Sequence, residues 1–195
     1  MIGCGVNKMN IIATNLIDAY ILEPKVFEDH RGFFMETYNT QLLEKQGLTF
    51  NFIQDNHALS KERGVLRGLH FQLEPYAQTK LVRVTSGAVY DVIVDLRHGS
   101  PTYGQWQGFI LSADNKRQLL VPKGFAHGYC TLEENTEFLY KVDNYYSPQH
   151  DRGIAWNDPQ INIDWPISNL ILSDKDMKQP LLAEFDPKFI YKGKE

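Results

Sequence analysis

The chain has 195 residues, 43% of them hydrophobic and 23% charged, with a formal net charge of −4. This is enough for one well-packed domain of ordinary globular composition, and the acidic balance gives no support to general nucleic-acid binding. Cys4 and Cys130 form neither a metal-like pair nor a disulfide framework. Residues 1–10 lack a basic-then-apolar signal pattern, and no apolar run approaches a membrane span. A cytoplasmic protein in a reducing compartment is expected.

Taken in order, Ile11 to Glu23 holds two apolar groups, and Pro24 ends regular pairing. Asp29-His30-Arg31-Gly32 is turn-like and leads into an aromatic strand from Phe33 to Tyr38. Thr40 to Gln46 reads as a short helix, capped by Thr40 and ended at Gly47. From Thr49 the chain is β-like, beginning with the stretch Phe50 to His57, which alternates at first. Lys80 to Val84 and Ala88 to Leu96 are the clearest strands, with Ser86-Gly87 expected as a tight hairpin turn between them. Gly104 to Leu111, Gln118 to Val121, Gly128 to Leu132 and Glu137 to Val142 follow at short intervals. Asp174 to Glu184 offers a short helix interrupted by Pro180. Many short strands between glycine- and proline-bearing turns predict a mainly β, antiparallel jelly-roll barrel or sandwich in one domain.

Polar residues on strand interiors carry the functional signal. Gln54, Asn56, Arg67, His70 and Gln72 are a poor core filling and predict a polar cavity. Strict alternation across Gly64-Val65-Leu66-Arg67-Gly68-Leu69-His70-Phe71-Gln72 separates Arg67 from His70, so both reach one ligand only through a bulge, a twist or an edge. The glycines of this stretch read as room beside the backbone for a ligand. Pro122-Lys123-Gly124-Phe125-Ala126-His127 resembles the second cupin motif, whose histidine is a metal ligand in metal-binding members. Where their first motif has a second histidine, this chain has Gln72, a poor ligand for a transition metal. No metal is expected, and His70 is left for proton transfer near neutral pH.

Longer motifs extend the resemblance. Gln54-Asp55-Asn56-His57, the Gly64 to Gln72 stretch, Gln78-Thr79-Lys80-Leu81-Val82-Arg83, Phe125-Ala126-His127-Gly128, Phe138-Leu139-Tyr140-Lys141, Asn144-Tyr145-Tyr146-Ser147-Pro148 and Ile163-Asp164-Trp165-Pro166 are similar to the dTDP-4-dehydrorhamnose 3,5-epimerase family. The resemblance runs from about Tyr20 to Leu182. It implies a cupin-type jelly roll, a homodimer, no metal or redox cofactor, and dTDP-4-dehydro-6-deoxy-D-glucose as substrate. It implies His70 as general base, Asp176 as the carboxylate that orients it, Tyr140 as the acid on the opposite face and Lys80 beside the C4 oxygen. It also implies substrate contacts from Arg31, Glu36, Gln54, Asn56, Arg67, His127, Asp151 and Lys175, with Tyr146 stacked on thymine. Arg31 and Glu36 lie in the N-terminal strand region, which the family lends to the neighbouring subunit. Three alternatives stay open from sequence: epimerisation at C3 alone or on a GDP- or CDP-linked sugar, a non-catalytic nucleotide-sugar binder, and a metal-dependent cupin oxygenase.

Overall fold

A computed structural model describes residues 9–193; Cys4 and the rest of residues 1–8 lie outside them. The two apolar groups near the start become β1 (Met9–Ala13) and β2 (Tyr20–Pro24), paired antiparallel. The turn at His30-Arg31 joins β3 (Val26–Asp29) to β4 (Gly32–Met35), a shorter strand than the aromatic run predicts. Helix α1 (Thr40–Glu44) is capped by Asn39 rather than Thr40. The Asn39 side chain accepts from the Leu42 amide, so the cap falls one residue earlier than expected. Regular strand then begins at Gln54, not Phe50. Phe50 and Phe52 instead pack beside α1 over Leu43, Leu81 and Leu120.

The remaining strands are β5 (Gln54–Ser60), β6 (Leu66–Gln72), β7 (Lys80–Ser86), β8 (Ala88–Asp95), β9 (Arg97–His98), β10 (Trp106–Ser112), β11 (Gln118–Val121), β12 (Phe125–Thr131), β13 (Thr136–Val142), β14 (Asp151–Gly153) and β15 (Phe189–Ile190). Two sheets dominate, ordered β1-β2-β11-β7-β13-β5 and β10-β8-β12-β6-β14, and the pairs within them are antiparallel. This is the jelly-roll arrangement expected from the strand spacing. The expected hairpin at Ser86-Gly87 is absent, because β7 and β8 belong to different sheets. Gly87, at φ +72°, carries the chain from one sheet to the other. A Cβ there would meet Thr136 Oγ1 at 2.4 Å. Two short 3₁₀ turns, Asp176–Lys178 and Leu182–Glu184, flank Pro180, as the interrupted helix signal implied.

Between the sheets, Val82, Val84, Val89, Ile93, Leu119, Val121, Phe125 and Phe138 form an apolar core. Each such side chain contributes roughly 1.5–3 kcal/mol on burial. The outer face of the five-stranded sheet is covered by the C-terminal segment, with Leu69, Phe71, Val92, Val94 and Ala126 under Ile154, Ile161, Leu182 and Phe189. That segment is tied to the start of β6 by Leu66 N donating to Ile171 O (2.9 Å) and Ile171 N to Gly64 O (2.8 Å). Among the described residues no helix is long and apolar enough to cross a membrane.

The β6–β12 pair contains the feature that matters most for function. Leu66 and Arg67 pair with Cys130 and Tyr129, but His70 pairs with His127. Gly68 and Leu69 therefore stand opposite Gly128 alone, which is a bulge. The extra residue reverses alternation, so Arg67 and His70 face the interior together while Leu69 and Phe71 face the outer cluster. Gly68 sits at φ +134°, and a Cβ there would lie 2.5 Å from Gly128 Cα. The space at Gly68 is thus filled by the neighbouring strand, and that at Gly64 by Asn169 O at 2.6 Å, not by a ligand. Gly68→Ala is expected to cost at least about 2 kcal/mol in denaturant unfolding; wild-type stability would contradict this reading of the bulge.

Candidate active site

At the open end of the inter-sheet space the apolar lining gives way to a cavity of about 460 Å³. β6 supplies Arg67 and His70, β7 supplies Lys80, β12 supplies His127 and Tyr129, and β13 supplies Phe138 and Tyr140. The C-terminal segment closes one side with Ser173, Lys175 and Asp176. His70 and Tyr140 come from different sheets, so they stand on facing walls. Polar groups here replace side chains that would otherwise extend the core, which marks the space as built for a ligand.

His70 Nε2 lies 2.5 Å from Asp176 Oδ1, with the Asp176 side chain only 5% exposed. Burial pushes the Asp176 carboxyl up, but hydrogen bonds and charge from His70, a hydrogen bond from Ser173 and the charge of Lys175 outweigh it and hold the group below its ordinary value. An ionised carboxylate only accepts, so Nε2 carries the hydrogen and Nδ1 keeps the lone pair. That is the tautomer a general base requires.

A second pair lies deeper. His127 Nε2 is 3.0 and 3.1 Å from the two oxygens of Asp91, which is wholly buried. Here desolvation prevails on both partners. It raises the Asp91 carboxyl against the pull of His127 and Lys80, and it lowers His127 despite Asp91. Lys80 is held down to about 8 by burial, partly offset by the charges of Asp91 and Asp151. Its positive charge is therefore present at neutral pH and is lost as pH rises through about 8. Tyr140 is raised by burial, with Arg67 opposing and Asp151 adding, so its phenol stays protonated and able to donate. Tyr129, stacked on Phe138 at 4.1 Å, has a buried hydroxyl, and burial pushes it up to about 12.

Beside the cavity, Asp151 on β14 accepts from Lys175 Nζ at 2.5 Å and from the Tyr146 hydroxyl at 3.1 Å. Arg67 donates through Nε to Ser60 Oγ (3.3 Å) and through Nη2 to Leu59 O (3.4 Å), with no carboxylate partner among the described residues. Gln54 Nε2 donates to Asn56 Oδ1 at 2.8 Å on edge strand β5. Asn56 lines an adjoining hollow of about 320 Å³ that Tyr140 also borders. Arg31 and Glu36 are not brought to the cavity of this chain. Arg31 is bound to Asp29 within its own hairpin turn, and Glu36 accepts from Asn39.

Gln72 belongs to the framework rather than to the cavity. Its amide donates to Tyr76 O and Tyr145 O and accepts from Ser147 N, fastening the 145–147 loop. The donor set does not fit a metal: among the described residues no group of three or more His, Cys, Asp or Glu side chains could hold one. Asp91, Tyr129 and Ser173 were missed in the sequence. Only Asp91 left a signal, as a carboxylate in the middle of the apolar run Ala88 to Leu96.

Residues 13–184 match the family model described as dTDP-4-dehydrorhamnose 3,5-epimerase. A Shigella flexneri protein of that name is 55% identical over 179 residues, covering 91% of this chain and 98% of its own length. A Bacillus anthracis crystal structure of that name, with TDP and pyrophosphate bound, superposes with a TM-score of 0.88 at 60% identity, covering 90% of this chain and all of that one. A Legionella pneumophila dTDP-6-deoxy-D-glucose-3,5-epimerase in complex with dTDP-4-keto-L-rhamnose gives 0.91 at 46% identity, covering 95% and 100%. The chain, matched along most of its length and carrying the same fold, belongs to the dTDP-4-dehydrorhamnose 3,5-epimerase family.

Proposed function

We propose that this chain catalyses double epimerisation, at C3 and C5, of dTDP-4-dehydro-6-deoxy-D-glucose to dTDP-4-dehydro-L-rhamnose. The observation that carries the mechanism is one oriented base and one protonated phenol on facing walls of a single cavity. The C4 ketone acidifies the hydrogens at C3 and C5. His70 Nδ1 takes the C3 proton, and the electrons of the broken C–H bond pass into an enolate on the C4 oxygen. Asp176 stabilises the resulting imidazolium. Lys80, charged at neutral pH, favours the enolate over the ketone. Tyr140 then returns a proton to the opposite face of C3. His70 loses its gained proton to solvent and Tyr140 recovers one, and the same sequence at C5 completes the reaction. His127, oriented by Asp91, supplies a polar contact to the sugar.

Arg67 reads as a diphosphate anchor, since its guanidinium fork has no carboxylate competitor among the described residues. Asp151, Lys175 and Tyr146 form one hydrogen-bonded group at the cavity edge, consistent with a nucleotide site in which Tyr146 offers its flat face to thymine. Gln54 and Asn56 extend that site along β5. The fold is proposed as one domain working as a homodimer, with Arg31 and Glu36 serving the partner's cavity. The support is their hairpin, which leaves Phe33 and Phe34 57% and 54% exposed. Sedimentation as a monomer would contradict that part. Cys130 is buried with no disulfide partner among the described residues, which fits a reducing cytoplasm.

The test is incubation with the 4-keto sugar nucleotide in deuterated water, followed by NMR. Deuterium is expected at both C3 and C5 in the wild type. His70→Ala should abolish both while leaving dTDP affinity within about twofold. Exchange at C3 alone in the wild type would make this a 3-epimerase, and retained exchange in the variant would remove His70 as the base.

A further inference from the structure

We infer that Ser173 is a positioning residue for the proton-abstracting pair, acting through Asp176 rather than on the substrate. Its hydroxyl donates to Asp176 Oδ2 at 2.8 Å, while Oδ1 faces His70 at 2.5 Å. The same hydroxyl oxygen accepts from the Asp176 backbone amide at 3.2 Å, and Met177 N donates to Ser173 O at 3.1 Å. One side chain thus caps the turn that carries Asp176 and also fixes the rotation of its carboxylate. The segment is in turn tied to β6, the strand of His70, through Ile171. Base and carboxylate are 106 residues apart in sequence, and their relative position rests on this short chain of contacts.

This inference rests on the proposed role of His70. The groups facing the Asp176 carboxylate are His70 from β6, Ser173 from its own turn and Lys175 beside it. Without the hydroxyl, Oδ2 has no fixed donor and the carboxylate is free to rotate away from Nε2. A base displaced by a fraction of an ångström loses rate without losing nucleotide affinity.

Ser173→Ala, Ser173→Thr and wild type separate the outcomes. Ser173→Ala should lower kcat about tenfold with KM and dTDP affinity unchanged, and Ser173→Thr, which keeps the hydroxyl, should restore most of the rate. The Asp176 carboxyl, followed by carbon-13 NMR, should titrate higher in Ser173→Ala, because one of the bonds holding it down is gone. Wild-type kcat in folded Ser173→Ala would overturn the inference. So would an equal loss in Ser173→Thr, which would assign the effect to packing. Should Ser173→Ala fail to fold, a Ser173→Thr enzyme with less than a tenth of wild-type kcat would overturn it, and one near wild type would support it. If His70→Ala retains exchange, the assignment of His70 fails and the inference about Ser173 falls with it; if His70→Ala loses exchange while folded Ser173→Ala keeps wild-type kcat, the inference about Ser173 alone fails.

Discussion

One residue too many in β6 determines what this cavity is. On a regular strand, Arg67 and His70 would point to opposite faces, and one of them would enter the apolar cluster of Leu69, Phe71 and Val92. Burying an unpaired guanidinium there would cost several kcal/mol. The bulge at Gly68 and Leu69, opposite Gly128, brings both side chains inward and leaves Leu69 and Phe71 in the outer apolar cluster. It is possible because two glycine backbones touch where any side chain would clash. A local departure from β regularity thus joins a phosphate-type anchor and a base on one wall.

The electrostatics of the cavity depend on how many partners each buried group has. Asp91 and Asp176 both pair with a histidine, yet they shift in opposite directions. Asp91 is fully buried and, among the described residues, its hydrogen-bonding side chain is His127, so desolvation prevails. Asp176 keeps His70, Ser173 and the charge of Lys175, and these together exceed its desolvation. The outcome separates two pairs of the same chemistry. The His70 pair holds a fixed negative charge ready to stabilise an imidazolium, while in the His127 pair burial raises the carboxyl and lowers the imidazole. Lys80 stands between these limits and keeps its charge at neutral pH.

Much of this was legible in the sequence, and the losses have physical reasons. Strand positions from Lys80 to Val142 followed from residue patterning, and Gln54, Asn56, Arg67 and His70 stood out as polar side chains where a core needs apolar ones, whereas Lys80, Tyr140, Asp176 and the remaining site residues rested on the family resemblance. Patterning does not say which sheet a strand joins, so Ser86-Gly87 read as a hairpin although it is a crossing between sheets. Asn39 and Thr40 are both good caps, and only backbone geometry chooses between them. The ligand-space reading of Gly64 and Gly68 failed because glycine reports close approach without naming what approaches. The bulge was foreseen as one resolution of the Arg67 and His70 conflict, but its position emerges only from pairing with β12. Arg31 and Glu36 lie away from this cavity, in the N-terminal region that the resemblance assigns to a neighbouring subunit.

The central claim is that protons leave to one wall and return from the other. Following Tyr140→Phe with the 4-keto substrate in deuterated water tests it most directly, by recording exchange and inversion at C3 in the same sample. Because His70 is intact, deuterium should continue to enter at C3 while inversion falls at least about tenfold. Inversion at the wild-type rate, or exchange lost in step with inversion, would contradict the two-walled account.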